Sequence, residues 1–284
     1  MKNLAYYDGR WGEMETMQIP MSDRVCFFGD AVYDATYSRN YKIFALSDHV
    51  DRFLRSAALL EIEPPMSKEA LMSLLEEMVQ KMDTGENFVY FQLSRSGAPI
   101  RDHTFPEDAG TGKLWINVYP KKIADLSVRA RLITAEDTRF LHCNIKTVNL
   151  IPAVMASQRA KRLGCHETVF HRGGRVTECA HSNVHILKDG CFITAPTDNL
   201  ILPGIARKHL IAACHRLGIP VREEPYDLDT LMSADEVMIS SAGVLCRAAD
   251  EVDGIPVGGR APALLSTLQD AVLREFMEET DIKS

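Results

Sequence analysis

The chain has 284 residues, 46% of them apolar and 25% charged, with a formal net charge of −7. That length suits one large or two modest domains, and the acidic balance argues against nucleic acid or an anionic membrane as partner. No run resembles a membrane span or secretory leader, and seven scattered cysteines without a Cys-x-x-Cys pair fit a reducing, cytoplasmic setting.

Tyr7-Asp-Gly-Arg10 carries the Asp-Gly signature of a tight hairpin. Ser47 is expected to cap a helix with Val50, Phe53, Leu54, Ala57 and Leu60 on its apolar face. A second helix, from Ser67, repeats Leu71, Leu74, Leu75, Met78, Val79 and Met82 at helical spacing. Residues 88–93 and 114–119, rich in aromatic and branched side chains, read as strands. The polar, proline-led stretch 120–127 is the expected linker between an N-terminal domain (1–119) and a C-terminal domain (128–284). The second half opens with a strand over 128–134. A helix over 152–162 follows, with proline in its first turn and Gly164 past its end. Two strand pairs turn at 172–175 and 188–190. A helix over 205–217, an extended segment over 236–240 and a long amphipathic helix over 263–277 complete the pattern. The fold class is α/β, a smaller N-terminal and a larger C-terminal α/β domain with a cleft between them.

Two residues carry the chemistry. Lys146 is flanked by Ile145, Val148, Leu150 and Ile151, and desolvation of this kind favours a neutral, nucleophilic amine. Glu178, 32 positions later, sits in a strand-like segment where a carboxylate needs a partner. An amine for a Schiff base and an acid for a pyridinium nitrogen are the two groups a pyridoxal 5'-phosphate (PLP) enzyme requires. By itself, a lysine in an apolar stretch more often snorkels to the surface.

Four segments stand in order: Phe28-Gly-Asp-Ala-Val-Tyr33, Asn144-Ile-Lys-Thr-Val-Asn149, Val176-Thr-Glu178 with His181-Ser-Asn183, and Ile201-Leu-Pro-Gly-Ile205. In these the chain resembles the fold-type IV PLP enzymes, which comprise D-amino acid aminotransferases, branched-chain aminotransferases and aminodeoxychorismate lyases. The resemblance implies PLP on Lys146, with Glu178 at the ring nitrogen and Leu202 under the ring. It also implies Arg52, the amides of Ile205 and Ala206, and the Ser241-Ala242 loop around the phosphate. Relatives often carry threonine where Ala242 and Gly243 stand, which leaves more of the binding to backbone amides and Ser241. Read only as residues, Arg52 fits a solvated helix face, Leu202 a core position, and Pro203 to Ala206 an ordinary turn before a helix.

Within the group, the D-amino acid enzymes hold the substrate α-carboxylate with an Arg-x-His pair and a tyrosine. Arg101-Asp-His103 and Tyr33 match that pattern. Residues two apart in an extended segment project to one side, and arginine's planar fork suits a carboxylate. The same residues also fit a polar surface loop. In the family this trap comes from a neighbouring subunit, which implies a homodimer. His181 and Ser182 are expected to line the substrate pocket, His181 replacing the small residue common in relatives. Cys179 and His181 have no matching second pair, so no metal is expected. The resulting expectation is a D-amino acid transaminase converting D-alanine and 2-oxoglutarate to pyruvate and D-glutamate. A branched-chain aminotransferase, an aminodeoxychorismate lyase and a non-catalytic PLP-binding protein are the alternatives.

Overall fold

The computed structural model describes residues 1–97, 100–107 and 110–281. Ala98 and Pro99, part of the stretch read as a loop, lie outside the described residues. The backbone divides into two compact units. One comprises Met1–Lys122, Ile145–Asn149 and the chain from Met277; the other comprises Ile123–Asn144 and Leu150–Phe276.

The first unit runs β1 (Leu4–Tyr7), β2 (Arg10–Gly12), α1 (Arg24–Phe28), β3 (Ala31–Arg39), β4 (Lys42–Ile43), α2 (Leu46–Leu59), α3 (Lys68–Gln80), β5 (Asn87–Ser94) and β6 (Lys113–Pro120). Its strands form one antiparallel sheet in the order β2-β1-β6-β5-β3-β4. The β1–β2 turn places Asp8 and Gly9 at positive φ (45° and 87°), the backbone that Asp-Gly accommodates in a two-residue hairpin. Alternation along β5 and β6 sends Val89, Phe91, Leu93, Leu114, Ile116 and Val118 into the core with the apolar stripes of α2 and α3. Each buried side chain of this size contributes about 1.5–3 kcal/mol, so the stripes fix both helices. α3 begins at its expected cap, with Ser67 Oγ accepting the Ala70 N–H at 3.2 Å. α2 does not use Ser47 as a cap. It begins at Leu46 after Ala45, whose φ is 49°, and the Glu279 carboxylate accepts the Ala45 N–H at 2.8 Å.

The second unit continues with β7 (Ala130–Glu136), α4 (Ile151–Arg162), β8 (Glu167–Arg172), β9 (Arg175–Cys179), β10 (Asn183–Lys188), β11 (Cys191–Thr194), α5 (Ile205–Leu217), β12 (Val221–Glu223), α6 (Leu228–Met232), β13 (Glu236–Ser240), β14 (Arg247–Val252), β15 (Ile255–Pro256) and α7 (Pro262–Glu279). Residues of α7 from Met277 belong to the first unit. The sheet is mixed, in the order β12-β11-β10-β13-β14-β7-β8-β9 with β15 on β14. The pairs β11–β12, β14–β7 and β7–β8 are parallel. Val169, Val176, Val184, Ile186, Val237 and Ile239 form the centre of its core.

The division differs from a single boundary at 120–127. Pro120 still pairs with Asn87 in the first sheet, while Ala124 N–H donates to Gly243 O in the second unit. Residues 145–149, read as part of the second domain, return to the first because their backbone bonds to β3. Among the described residues, no helix is long and apolar enough to cross a membrane.

Candidate active site

In the first unit, Tyr33 N–H donates to the Lys146 carbonyl (2.9 Å), Val148 N–H donates to Ala31 O (3.2 Å), and Thr147 stands opposite Val32. This short pairing fixes the lysine backbone. Lys146 Nζ lies 4.3 Å from the centroid of the Tyr33 ring, which itself stacks on Tyr90 at 5.5 Å. Ile145 packs on the core, but Leu150 and Ile151, expected to help desolvate the amine, are exposed. The apolar surface beside the amine is the tyrosine face, brought there by β3.

α2 supplies His49, Arg52 and Ser56, all buried and spaced to share a helix face. Ser56 Oγ accepts the Lys146 N–H at 3.3 Å. Arg52 grips Asp34 in a fork, Nε to Oδ2 at 2.8 Å and Nη2 to Oδ1 at 2.7 Å. His49 Nδ1 lies 2.7 Å from Asp34 Oδ1. Burial alone would raise the Asp34 carboxyl, but Arg52 and His49 hold it well below the usual range. Burial pushes the His49 imidazole down, against the pull of Asp34. Arg52 is therefore a fixed, buried cation rather than a solvated one.

Arg101 and His103 occupy an exposed segment outside helix and strand. The Arg101 guanidinium carbon stands 4.5 Å from the Phe28 ring centroid, and the His103 ring centroid 5.1 Å from it. The Arg101 and His103 side chains thus converge, on Phe28. Among the described residues, neither makes a hydrogen bond, ion pair or ring contact to Tyr33 or Lys146 of its own chain.

In the second unit, Glu178 is buried at the end of β9 and surrounded by donors. Arg139 Nη1 pairs with Oε1, while Asn183 Nδ2 (3.0 Å) and the Leu202 N–H (3.1 Å) donate to Oε2. Arg139 is held in turn by Asp137, through Nε to Oδ1 and Nη2 to Oδ2, both 2.9 Å. Arg172 Nε (3.1 Å) and Thr177 Oγ1 (3.2 Å) also bond Asp137 Oδ2. The sequence reading missed Arg139 and left Asn183 without a role. Asp137-x-Arg139 offered a local signal, but the pairing with Glu178 is made across the fold.

Leu202, expected through its side chain, reaches Glu178 through its backbone and accepts from Asn183 Nδ2 at 3.1 Å. Gly204 caps α5, and a Cβ there would fall 2.0 Å from Asn183 Oδ1. The Ile205 and Ala206 amides precede the bond from Lys208 N–H to Gly204 O and are free of the helical ladder. Ser241 begins a tight turn through Ala242 and Gly243, its carbonyl accepting the Val244 and Leu245 N–H groups. Ser240 Oγ lies 2.7 Å from His185 Nε2, and burial brings that imidazole down to about 3. His181, with a side chain 63% exposed, pairs through Nδ1 with buried Glu167 at 2.6 Å. Ser182 Oγ donates to the same Glu167 oxygen at 3.0 Å. Cys179 is buried where His181 is exposed, so the two do not share a face.

Each unit holds groups of a chemistry that suits PLP: the first an amine against a tyrosine and a buried arginine, the second a buried carboxylate amid donors and a helix N-terminus with amides outside the helical ladder.

The family model for amino-transferase class IV matches residues 31–252. A D-alanine aminotransferase of Listeria monocytogenes serotype 4b is 38% identical over 270 residues, covering 94% of this chain and 93% of the relative. One from Staphylococcus haemolyticus is 32% identical, with 94% and 95% covered. Among solved structures, the branched-chain amino acid aminotransferase from Escherichia coli superposes with a TM-score of 0.87 at 22% identity, covering 100% of this chain and 97% of that one. The T.th. branched-chain amino acid aminotransferase complexed with N-(5'-phosphopyridoxyl)-L-glutamate gives 0.85 at 23%, with 97% and 96% covered. The chain belongs to the class IV aminotransferases and has their fold-type IV architecture. It is a PLP-dependent enzyme that moves an amino group between an amino acid and a 2-oxo acid.

Proposed function

We propose that the enzyme is a D-amino acid transaminase that converts D-alanine and 2-oxoglutarate to pyruvate and D-glutamate, with a broad range of D-amino acids. The observation that carries this reading is the convergence of Arg101 and His103 on Phe28, exposed and side by side. A guanidinium and an imidazole presented together offer N–H donors to one α-carboxylate. The names of the relatives at 32–38% identity point the same way. The branched-chain structures share the fold at 22–23% identity, and their names add no argument about substrate.

In this reading Lys146 and Glu178 act on the same PLP. Bound PLP supplies an electron sink for the pair of electrons left when the substrate Cα loses its proton. Lys146 Nζ would hold the cofactor at rest and, once displaced from it by the substrate amine, would take that proton from Cα. Because it works from one side, the position of the α-carboxylate decides which enantiomer directs its Cα–H to the amine. Arg101, His103 and Tyr33 set that position for a D-amino acid. Glu178 keeps the ring nitrogen protonated, and Arg139, Asn183 and the Leu202 amide hold the carboxylate in place. Arg52, the Ile205 and Ala206 amides, Ser241 and the Ala242 backbone bind the phosphate. Leu202 would contact the cofactor ring, and His181 and Ser182, anchored on Glu167, would border the substrate side chain.

Arg101 and His103 are assigned to the active site of a second copy, making the working form a homodimer. Exposed Ile151, Val154 and Met155 on α4 supply apolar surface for such an association. Seven free cysteines, five of them buried, support a reducing cytoplasm as its setting. Incubation of the holoenzyme with D-alanine and 2-oxoglutarate, followed by chiral separation of the glutamate, tests the reading. D-glutamate is expected; L-glutamate would contradict it.

A further inference from the structure

We infer that Arg24, together with the Phe28 ring, is a positioning residue that presents Arg101 and His103 to the substrate carboxylate, an inference that rests on the carboxylate role proposed for that pair. Arg24 is only 5% exposed, an unusual place for an arginine unless its donors are used. All three of its nitrogens are in use. Nε donates to Asp30 Oδ2 at 2.8 Å, and Nη1 to the carbonyls of Asp102 (2.8 Å) and Thr104 (3.1 Å). Nη2 donates to the His103 carbonyl at 3.4 Å. One guanidinium therefore binds three successive carbonyls of a segment that has no helix or sheet to satisfy them.

One end of this arrangement is anchored in the fold. Arg24 opens α1, whose cap Asp23 accepts the Val25 N–H and the Ser94 hydroxyl at 2.8 Å. Asp30 is held as well by buried Arg95, Nε to the same Oδ2 at 2.9 Å and Nη2 to Oδ1 at 3.3 Å. Arg95 reaches on to the carbonyls of Leu60 (2.6 Å) and Glu61 (2.9 Å), just past the end of α2. At the other end, Asp102 Oδ1 accepts the Thr104 N–H and hydroxyl, which tightens the turn between the two substrate-facing residues. Phe28 completes the assembly. Arg24 lies 4.7 Å from its centroid, Arg101 4.5 Å and His103 5.1 Å. The backbone of residues 102–104 is drawn inward onto Arg24 while the side chains of Arg101 and His103 rest on the ring. A lysine at position 24 would keep the charge but lack the planar fork that spans three acceptors.

The test is a double-mutant cycle on the PLP-loaded enzyme. D-alanine affinity is read from single-turnover spectral titration, with D-alaninamide, which lacks the α-carboxylate, as control. Losing one or two of the carbonyl bonds predicts that Arg24→Lys weakens D-alanine binding by about 10-fold. The cofactor spectrum and D-alaninamide binding should stay unchanged. In an Arg101→Ala/His103→Ala background, Arg24→Lys should add less than about twofold, because the groups it positions are gone. Phe28→Leu should reproduce the pattern and serves if Arg24→Lys does not fold. Equal losses for D-alanine and D-alaninamide, an undiminished effect in the double-alanine background, or no effect at all would overturn the role of Arg24. Normal D-alanine binding by Arg101→Ala/His103→Ala itself would overturn the carboxylate site, and the role of Arg24 with it.

Discussion

Arg139 holds Glu178 with one edge of its guanidinium while Asp137 grips the other edge, so the carboxylate assigned to the cofactor ring is itself held by a buried ion network. Three of the partners of Glu178 are donors: Arg139 on one oxygen, Asn183 and the Leu202 amide on the other. An amide in its place can satisfy only one of those sides. Glu178→Gln is thus expected to fold and bind PLP with a stability loss of about 1–3 kcal/mol. Transamination should slow about 10²-fold or more, because a neutral amide does not keep the ring nitrogen protonated. Thermal unfolding and steady-state turnover measure the two effects separately, and unchanged turnover would remove Glu178 from the mechanism.

Borohydride reduction of the holoenzyme, followed by peptide mass mapping, should place the pyridoxyl label on Lys146. Lys113 and Lys121 precede it in sequence, and Lys113 is engaged by Asp8 at 3.0 Å. A label on either would overturn the assignment.

Gly204→Ala would put a Cβ 2.0 Å from Asn183 Oδ1, forcing Asn183 away from both Glu178 and Leu202. A lower melting temperature and weaker PLP retention are expected, on the scale of about 1–3 kcal/mol for lost buried hydrogen bonds. A variant with unchanged PLP retention would show that Asn183 does not organise the ring-nitrogen side.

His185 gives a pH signature. Burial, with Arg207 nearby, brings its imidazole down to about 3 from an ordinary value of 6.5. The unfolded chain therefore takes up this proton first as acid is added. The stabilising contribution is complete above pH 6.5 and is lost progressively as the pH falls from 6.5 towards 3. In His185→Leu the melting temperature should be lower at neutral pH but fall less steeply across that window. Parallel curves for wild type and variant would contradict the assignment.

What was legible in the sequence was local. The stripe from Leu71 to Met82 with Ser67 before it, the Asp-Gly turn at residues 8 and 9 and the helix over 205–217 all follow from neighbouring residues. The Ser47 cap failed because α2 already begins at Leu46, after Ala45, whose N–H is taken by Glu279, 234 positions away. The setting of Lys146 was misjudged for the same reason. Its sequence neighbours Leu150 and Ile151 turn outward, and Tyr33 from β3 takes their place. Candidate residues could be picked by type and motif, but their partners could not. Asp34 for Arg52, Arg139 for Glu178 and Glu167 for His181 are brought together by packing of a helix or loop residue onto a strand, which no periodicity encodes.

The most direct test of the account is a single-turnover half-reaction of the PLP-loaded enzyme with D-alanine and with L-leucine, in wild type and in Arg101→Ala. Wild type should convert the cofactor to its amino form faster with D-alanine. Loss of one charge-assisted hydrogen-bonding group, at ~1.5–3 kcal/mol, should cut D-alanine use by roughly 10- to 100-fold in Arg101→Ala and leave the resting cofactor spectrum intact. Faster conversion of L-leucine than of D-alanine by wild type would contradict the account and assign the enzyme to branched-chain L-amino acids.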